Sequence, residues 1–101
     1  MSRRLWLIGD DPALDVLAEL SQHLDYFTVA RLDEPPPETL GVDDHIVIGL
    51  GNRQRSLAVL ALVLARGEPG AAVVMPLYDG DNVGTRAIVA GAELVTVLRV
   101  T

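Results

Sequence analysis

The chain has 101 residues, half of them hydrophobic, and a formal net charge of −6, with arginine as its only basic residue besides two histidines and with no cysteine. This composition indicates a single globular domain, residues 1–101, and excludes disulfides and thiolate metal sites. The acidic balance argues against a nucleic-acid surface, which needs concentrated positive charge. The spacing of His23 and His45 does not suggest a shared metal.

The sequence contains no segment that predicts membrane insertion. No apolar run is long enough to span a bilayer, and only four apolar residues separate Arg4 from Gly9, which is too few for a signal peptide. We therefore expect a cytoplasmic protein without a membrane partner.

The first predicted element is a strand over residues 5–8 that leads directly into a helix. Four consecutive apolar residues are typical of a central parallel strand that is covered on both faces. Gly9 and two carboxylates follow, and Asp11 is a good N-cap for a helix whose first residue is Pro12. Parallel α/β domains keep their sites at such junctions, because the loops after the strands line the crevice of the sheet.

Two further strands are predicted in the first half of the chain. Residues 26–32 form the second, and the run of three prolines that follows it reduces the second helix to a turn. Residues 44–48 form the third, which ends at Gly49. His45, near the start of that strand, is interpreted as an edge residue rather than a ligand, because no partner of ligand type is predicted beside it.

An unusually apolar helix is predicted from residue 56 to residue 66, ending before Gly67. Residues 57–65 are all apolar, and a helix that is apolar on every side must be covered on more than one side. Three of its larger residues cannot all face the sheet, and we infer a partner surface for them: Val59, Leu62 and Val63.

The last third of the chain predicts a fourth strand over residues 71–75, a short helix that Asp81 caps and Gly91 ends, and a fifth strand over residues 93–100. Alternating strands and helices predict a parallel sheet with helices on both faces. The expected fold is therefore α/β, a doubly wound, five-stranded parallel sheet of the flavodoxin-like or Rossmann-like type, in the order 2-1-3-4-5. No final helix is expected after the fifth strand.

Four stretches of the sequence together resemble the receiver domain of response regulators. Residues 7–14 align without a gap on the family's opening pattern of apolar residues, acidic cluster, proline and helix, and residues 44–51 fall on its third strand. Residues 72–76 match its fourth strand, and residues 86–93 are similar to the alanine-glycine-alanine-acid stretch before its fifth. The resemblance spans residues 5–99 and implies a regulatory domain with the receiver fold.

The same resemblance places unreactive residues where the receiver family carries its reactive groups. Gly49 stands at the phosphoacceptor aspartate, Pro76 at the hydroxyl residue, Leu98 at the lysine and Val95 at the switch aromatic. Without the carboxylate no acyl phosphate can form at position 49. The resemblance therefore implies a receiver that cannot be phosphorylated there.

Of the groups that a receiver uses to bind its metal and phosphoryl group, the resemblance retains only the acidic pair Asp10 and Asp11. Two carboxylates alone hold Mg²⁺ weakly, and a helix cap with a first-turn charge is an equally good interpretation of the pair. The sequence also lacks a cysteine nucleophile, a recognisable serine-histidine pattern and a glycine-rich phosphate loop. Neither an enzyme activity nor a cofactor is predicted.

A second resemblance is to the nucleotide-binding Rossmann domains of potassium-transport regulatory proteins. It would assign cofactor binding to Gly9 after the first strand, Asp33 after the second, and Gly49 and Gly51 after the third. Asp11 occupies a glycine position of the dinucleotide fingerprint, and its carboxylate would repel a phosphate.

The sequence favours a non-catalytic regulatory or protein-interaction module, a receiver-like domain that has lost its phosphoacceptor. A small nucleotide-binding regulatory domain is the alternative. The expected partner is another protein or a second copy of the chain in a homodimer, because exposed apolar area usually marks an interface and a symmetric pair is the commonest way to cover it.

Overall fold

The structure, a computed structural model, describes residues 3–23, 27–36, 39–75 and 82–100. These residues form four parallel strands in the order β2-β1-β3-β4 and three helices. The strands are β1 Arg3–Ile8, β2 Phe27–Leu32, β3 Asp44–Ile48 and β4 Ala71–Val74, and the helices are α1 Ala13–Gln22, α2 Arg53–Ala65 and α3 Val83–Val100. None of these helices combines the length and the apolar character needed to cross a membrane.

Two apolar layers sandwich the sheet, because successive residues of a strand point to opposite faces. The layer shared with α1 and α3 contains Leu5, Leu7, Leu14, Leu17, Val47, Ala87, Ala90 and Leu94. The layer on the α2 side contains Trp6, Ile8, Leu40, Ile46, Ile48, Leu50 and Val63. Each fully buried aliphatic side chain contributes about 1.5–3 kcal/mol relative to its exposed state.

The prediction of a doubly wound parallel α/β sheet is confirmed for the first four strands, including their order and the parallel pairing of β3 with β4. The predicted fifth strand is wrong. Residues 93–100 are the second half of α3, so the last described element is a helix.

A helical repeat of apolar residues explains why α3 continues through the predicted strand. Ala87, Ala90 and Leu94 recur at three- and four-residue steps and are all buried against the sheet. Gly91 does not end the helix, and it lies beside Leu17 of α1, where a Cβ would make an ordinary contact of 3.5 Å. The predicted cap Asp81 lies outside the described residues, and Asn82 caps α3 by accepting a hydrogen bond of 2.7 Å from the Thr85 N–H.

Within the described residues, β2 and β3 are joined by a segment that contains no helix. Pro36 and Leu40 are buried there, and the Arg66 guanidinium donates to the Pro36 carbonyl. The Leu40 N–H donates to the Arg66 carbonyl at 3.3 Å. A Cβ at Gly67 would lie 2.1 Å from the Leu40 oxygen, so a glycine is required after α2. This segment ties the end of α2 to the sheet.

Candidate functional site

The crevice where a doubly wound sheet binds ligands lies between the carboxyl ends of β1 and β3, because the strand order reverses there. Gly9 and Gly49 follow these two strands. Gly9 has φ +127°, and a Cβ at that residue would lie 2.1 Å from the Gly49 oxygen. The Asp11 N–H donates to that same oxygen at 3.0 Å. The main chains that follow β1 and β3 are therefore in direct contact, as a continuation of the pairing of these two strands.

Position 49, which the receiver resemblance aligns with the phosphoacceptor, is enclosed by side chains. A Cβ there would lie 3.1 Å from Cγ of Leu14, 3.1 Å from Cγ of Met75 and 3.2 Å from Cβ of Asp11. These distances are shorter than ordinary carbon contacts. A side chain at position 49 would therefore require these neighbours to move by a few tenths of an ångström.

The two acidic residues after β1 have separate environments. The Asp11 side chain is 2% exposed, and its Oδ2 accepts a hydrogen bond of 2.8 Å from Nη1 of Arg86. Its Oδ1 accepts from the Ala13 N–H at 2.9 Å, which confirms the predicted capping role. Asp10 is exposed. Across residues 3–23, 27–36, 39–75 and 82–100, no three histidine or acidic side chains are placed to hold a metal ion.

Arg86 is a site residue that the sequence analysis did not identify. It stands 75 positions from Asp11 in the chain, and only the packing of α3 beside α1 brings the two together. Its Nε is buried and has no hydrogen-bond partner within the described part of the chain. On the other side of the loop, Arg31 pairs with Asp15 and donates to the Gly9 carbonyl at 3.3 Å. The carboxyl edge is thus held together by ion pairs and main-chain bonds.

The residues assigned to nucleotide binding follow the carboxyl ends of β1, β2 and β3. The Leu50 N–H donates to the Ser56 hydroxyl at 3.3 Å, so this donor is already used. Asp33 and Gly51 are exposed. Of the other positions aligned with receiver groups, Pro76 lies outside the described residues, while Val95 and the backbone of Leu98 belong to α3 rather than to a strand.

At the opposite edge of the sheet, Asp44 is a buried carboxylate with a full set of donors. It accepts hydrogen bonds from the Trp6 indole at 2.9 Å and the Gly41 N–H at 2.8 Å, and Nε of Arg4 lies 2.7 Å away. The Arg4 guanidinium also lies 5.2 Å from the centre of the Trp6 ring. Burial raises the pKa of the Asp44 carboxyl, but these hydrogen bonds and the Arg4 charge outweigh it and hold the pKa below its usual value.

His45, the next residue, is 2% exposed. It is the second residue of β3, so it lies at the amino edge of the sheet, but in a strand that is interior to the sheet between β1 and β4. Its ring meets the Phe27 ring edge to face, with centroids 5.6 Å apart. Burial, helped by the charge of Arg3, lowers the pKa of His45, although Asp43 and Asp44 act in the opposite direction. Burial thus favours the neutral form of the ring.

The outward side of α2 is apolar and exposed. It carries more exposed apolar residues in one continuous patch than any other described helix does. Leu57, Leu62 and Leu64 are 46%, 51% and 55% exposed, and the alanines beside them are also exposed. We call this set the outer face of α2: Leu57, Ala58, Ala61, Leu62, Leu64 and Ala65. Of the three residues predicted at an interface, Leu62 is exposed, Val59 is partly buried, and Val63 is fully buried beneath the helix.

No protein-family model, curated protein or solved structure matches this chain.

Proposed function

We propose that this chain is a non-catalytic protein-interaction module of the cytoplasm, a receiver-like domain without a phosphoacceptor, that associates through the outer face of α2. The proposal rests on the exposure of six apolar residues on successive turns of α2, with no charged side chain among them. Exposed apolar area of this kind marks interfaces in soluble domains. At the crevice between β1 and β3, the position that the resemblance aligns with the phosphoacceptor is Gly49, which offers no carboxylate to phosphorylate.

A second copy of the chain is the partner that we propose. A helix whose outer face carries only leucine and alanine is complementary to itself, since small and large residues can interdigitate across a two-fold axis. Arg55 and Arg66 near its two ends are exposed. Helices that cross at about 50° move their ends apart, so the arginines of the two copies need not meet.

Sedimentation equilibrium tests this association. We expect the wild-type chain to be dimeric at micromolar concentration, and we expect Leu62→Glu or Leu64→Glu to raise the dissociation constant at least about tenfold, because each buries a charge in an apolar contact. Ile88→Glu is the matched control. Ile88 is 64% exposed on α3, on the other side of the sheet, and its substitution should leave the dimer intact.

Two results would contradict the homodimer. One is a wild-type chain that remains monomeric throughout the micromolar range, and the other is equal weakening by the α2 and α3 substitutions. The salt dependence of the dissociation constant is an independent test. An apolar contact flanked by arginines should keep its affinity or gain affinity when salt screens the repulsion between them. A dimer that dissociates in salt would be held by charge pairs elsewhere.

A ligand titration separates this proposal from the nucleotide-binding alternative. We expect NAD, ATP, AMP, and beryllium fluoride with Mg²⁺ to leave the melting temperature unchanged, because the carboxylate of Asp11 stands at a glycine position of the dinucleotide fingerprint and Gly49 offers no carboxylate at the position aligned with the phosphoacceptor. A ligand present at a hundred times its dissociation constant would add about 2.7 kcal/mol of stability, or roughly 10 °C or more for a domain of this size. An upward shift with one of the nucleotides would favour the alternative.

A further inference from the structure

We propose that His45 is a pH-sensitive latch that holds the start of β2 against the sheet when its ring is neutral and releases it when the ring is protonated. The ring lies at the amino edge of the sheet, the edge where the parallel strands begin. The main chain of His45 is in register with Leu5 of β1 and Ala71 of β4, and its ring contacts the ring of Phe27 in β2.

The environment of the neutral ring is apolar and tight. Neither Nδ1 nor Nε2 of His45 has a hydrogen-bond partner among the described residues, and both atoms are buried. Buried polar atoms are satisfied in the great majority of cases, so an exception calls for a reason. Gly70 packs directly on the ring, because a Cβ there would lie 2.7 Å from Cε1 of His45. The ring is thus held by shape and not by hydrogen bonds.

Acceptors for a protonated ring lie in an adjoining cavity of about 480 Å³. Its lining includes the carboxylates of Asp43 and Glu68 together with Arg3. The charged groups around the ring are Arg3 from β1, Asp43 and Asp44 next to it in the chain, and Glu68 before β4. Asp44 is committed to Arg4 and Trp6 on the other face of the sheet, so Asp43 and Glu68 are the available acceptors.

Protonation changes what the ring requires. The imidazolium has two N–H donors, and both would be left unsatisfied where the neutral ring sits. A rotation toward the cavity lets Asp43 or Glu68 accept them, and that rotation removes the contact with Phe27. β2 pairs only with β1 in the described sheet, so loss of this contact loosens the first residues of an edge strand.

The sign of the pH dependence follows from the lowered pKa of His45. A group whose pKa is depressed by folding stabilises the folded state fully above its unfolded value of 6.5, and that stabilisation is lost as the pH falls below it. The latch is therefore closed at neutral pH and opens in mild acid.

Hydrogen exchange of individual amides on the full chain tests the latch. On lowering the pH from about 7.5 to about 5, and after correction for intrinsic exchange rates, we expect at least about tenfold loss of protection at the first amides of β2, with α1 and α3 unchanged. The imidazole C–H signals should show His45 titrating below 6.5. His23→Gln, which removes an exposed histidine, should change nothing.

Two variants identify the cause. His45→Phe keeps a packed ring that cannot titrate, so β2 should stay protected at both pH values. Should that variant fail to fold, Asp43→Asn with Glu68→Gln leaves the wild-type ring in place, removes its acceptors and should lower both the titration midpoint and the acid-induced opening. Equal acid-induced opening in His45→Phe, an unchanged response in the double variant, or uniform loss of protection over the whole chain would each overturn the proposal.

Discussion

Replacing Asp44 by alanine is expected to lower the free energy of unfolding by about 3 kcal/mol, which is a large fraction of the roughly 5–15 kcal/mol that holds a domain of this size folded. The substitution leaves the Trp6 indole N–H and the Gly41 N–H without their acceptor. Each orphaned donor costs about 1–3 kcal/mol where it is buried. The unpaired Arg4 adds less, because its side chain is 40% exposed and water can solvate it.

Urea denaturation at neutral pH measures this loss, and the neighbouring residue provides the control. Asp43 is exposed, and Asp43→Ala should change the stability by no more than about 0.5 kcal/mol. Asp44→Asn should lie between the two, since its amide oxygen can still accept from Trp6. If Asp44→Ala and Asp43→Ala proved equally mild, the buried network would not be a stabilising feature of the fold.

The two buried titratable residues of β3 act in different pH ranges. Because the pKa of the Asp44 carboxyl is lowered by folding, its contribution is present above the ordinary value of 3.8 and is lost as the pH falls through the lowered pKa. His45 loses its contribution earlier, below 6.5. Acid effects seen only in strongly acidic solution are therefore expected from carboxylates such as Asp44 and not from the latch.

Most of the fold could be predicted because the signals for it are local. Apolar runs identified β1 to β4, and Asp11 and Gly67 marked a helix start and a helix end. The error at residues 93–100 arose where two local signals conflict. The β-branched residues there favour a strand, but the buried stripe through Ala90 and Leu94 needs a helix, and packing against the sheet outweighs intrinsic propensity.

The candidate site could be predicted only in part, because its decisive contacts join residues far apart in the chain. Asp11 was predicted as a cap, yet its ion pair with Arg86 depends on how α3 packs. Asp44 could have been recognised, since a carboxylate inside a buried strand requires a cation on a neighbouring strand, and β1 begins with arginines. The exposed side of α2 was inferred as a property of the helix, but of the three residues named for it only Leu62 is exposed, because Val59 is partly buried and Val63 is fully buried.

Gly49→Asp, which restores a carboxylate at the position aligned with the receiver phosphoacceptor, is expected to destabilise the domain by about 4 kcal/mol or more and to confer no phosphorylation. Overpacking against Leu14 and Met75 costs about 1–3 kcal/mol. The new carboxylate would also lie beside the buried Asp11, whose Arg86 partner is already engaged, and an uncompensated buried charge costs several kcal/mol more. Thermal unfolding and mass measurement after acetyl phosphate treatment test the two halves of this expectation.

Gly51→Asp is the matched control for that substitution. It adds the same carboxylate two residues further along the same loop, where a Cβ meets nothing within 4 Å and the residue is exposed. The free energy of unfolding of this variant should lie within about 0.5 kcal/mol of the wild-type value. A large difference in stability between the two variants would therefore reflect the tight packing around position 49 and not the added charge. A stable Gly49→Asp protein that accepts a phosphoryl group would contradict both halves of the expectation, because the packing of Leu14, Met75 and Asp11 around position 49 would then not exclude a reactive carboxylate there.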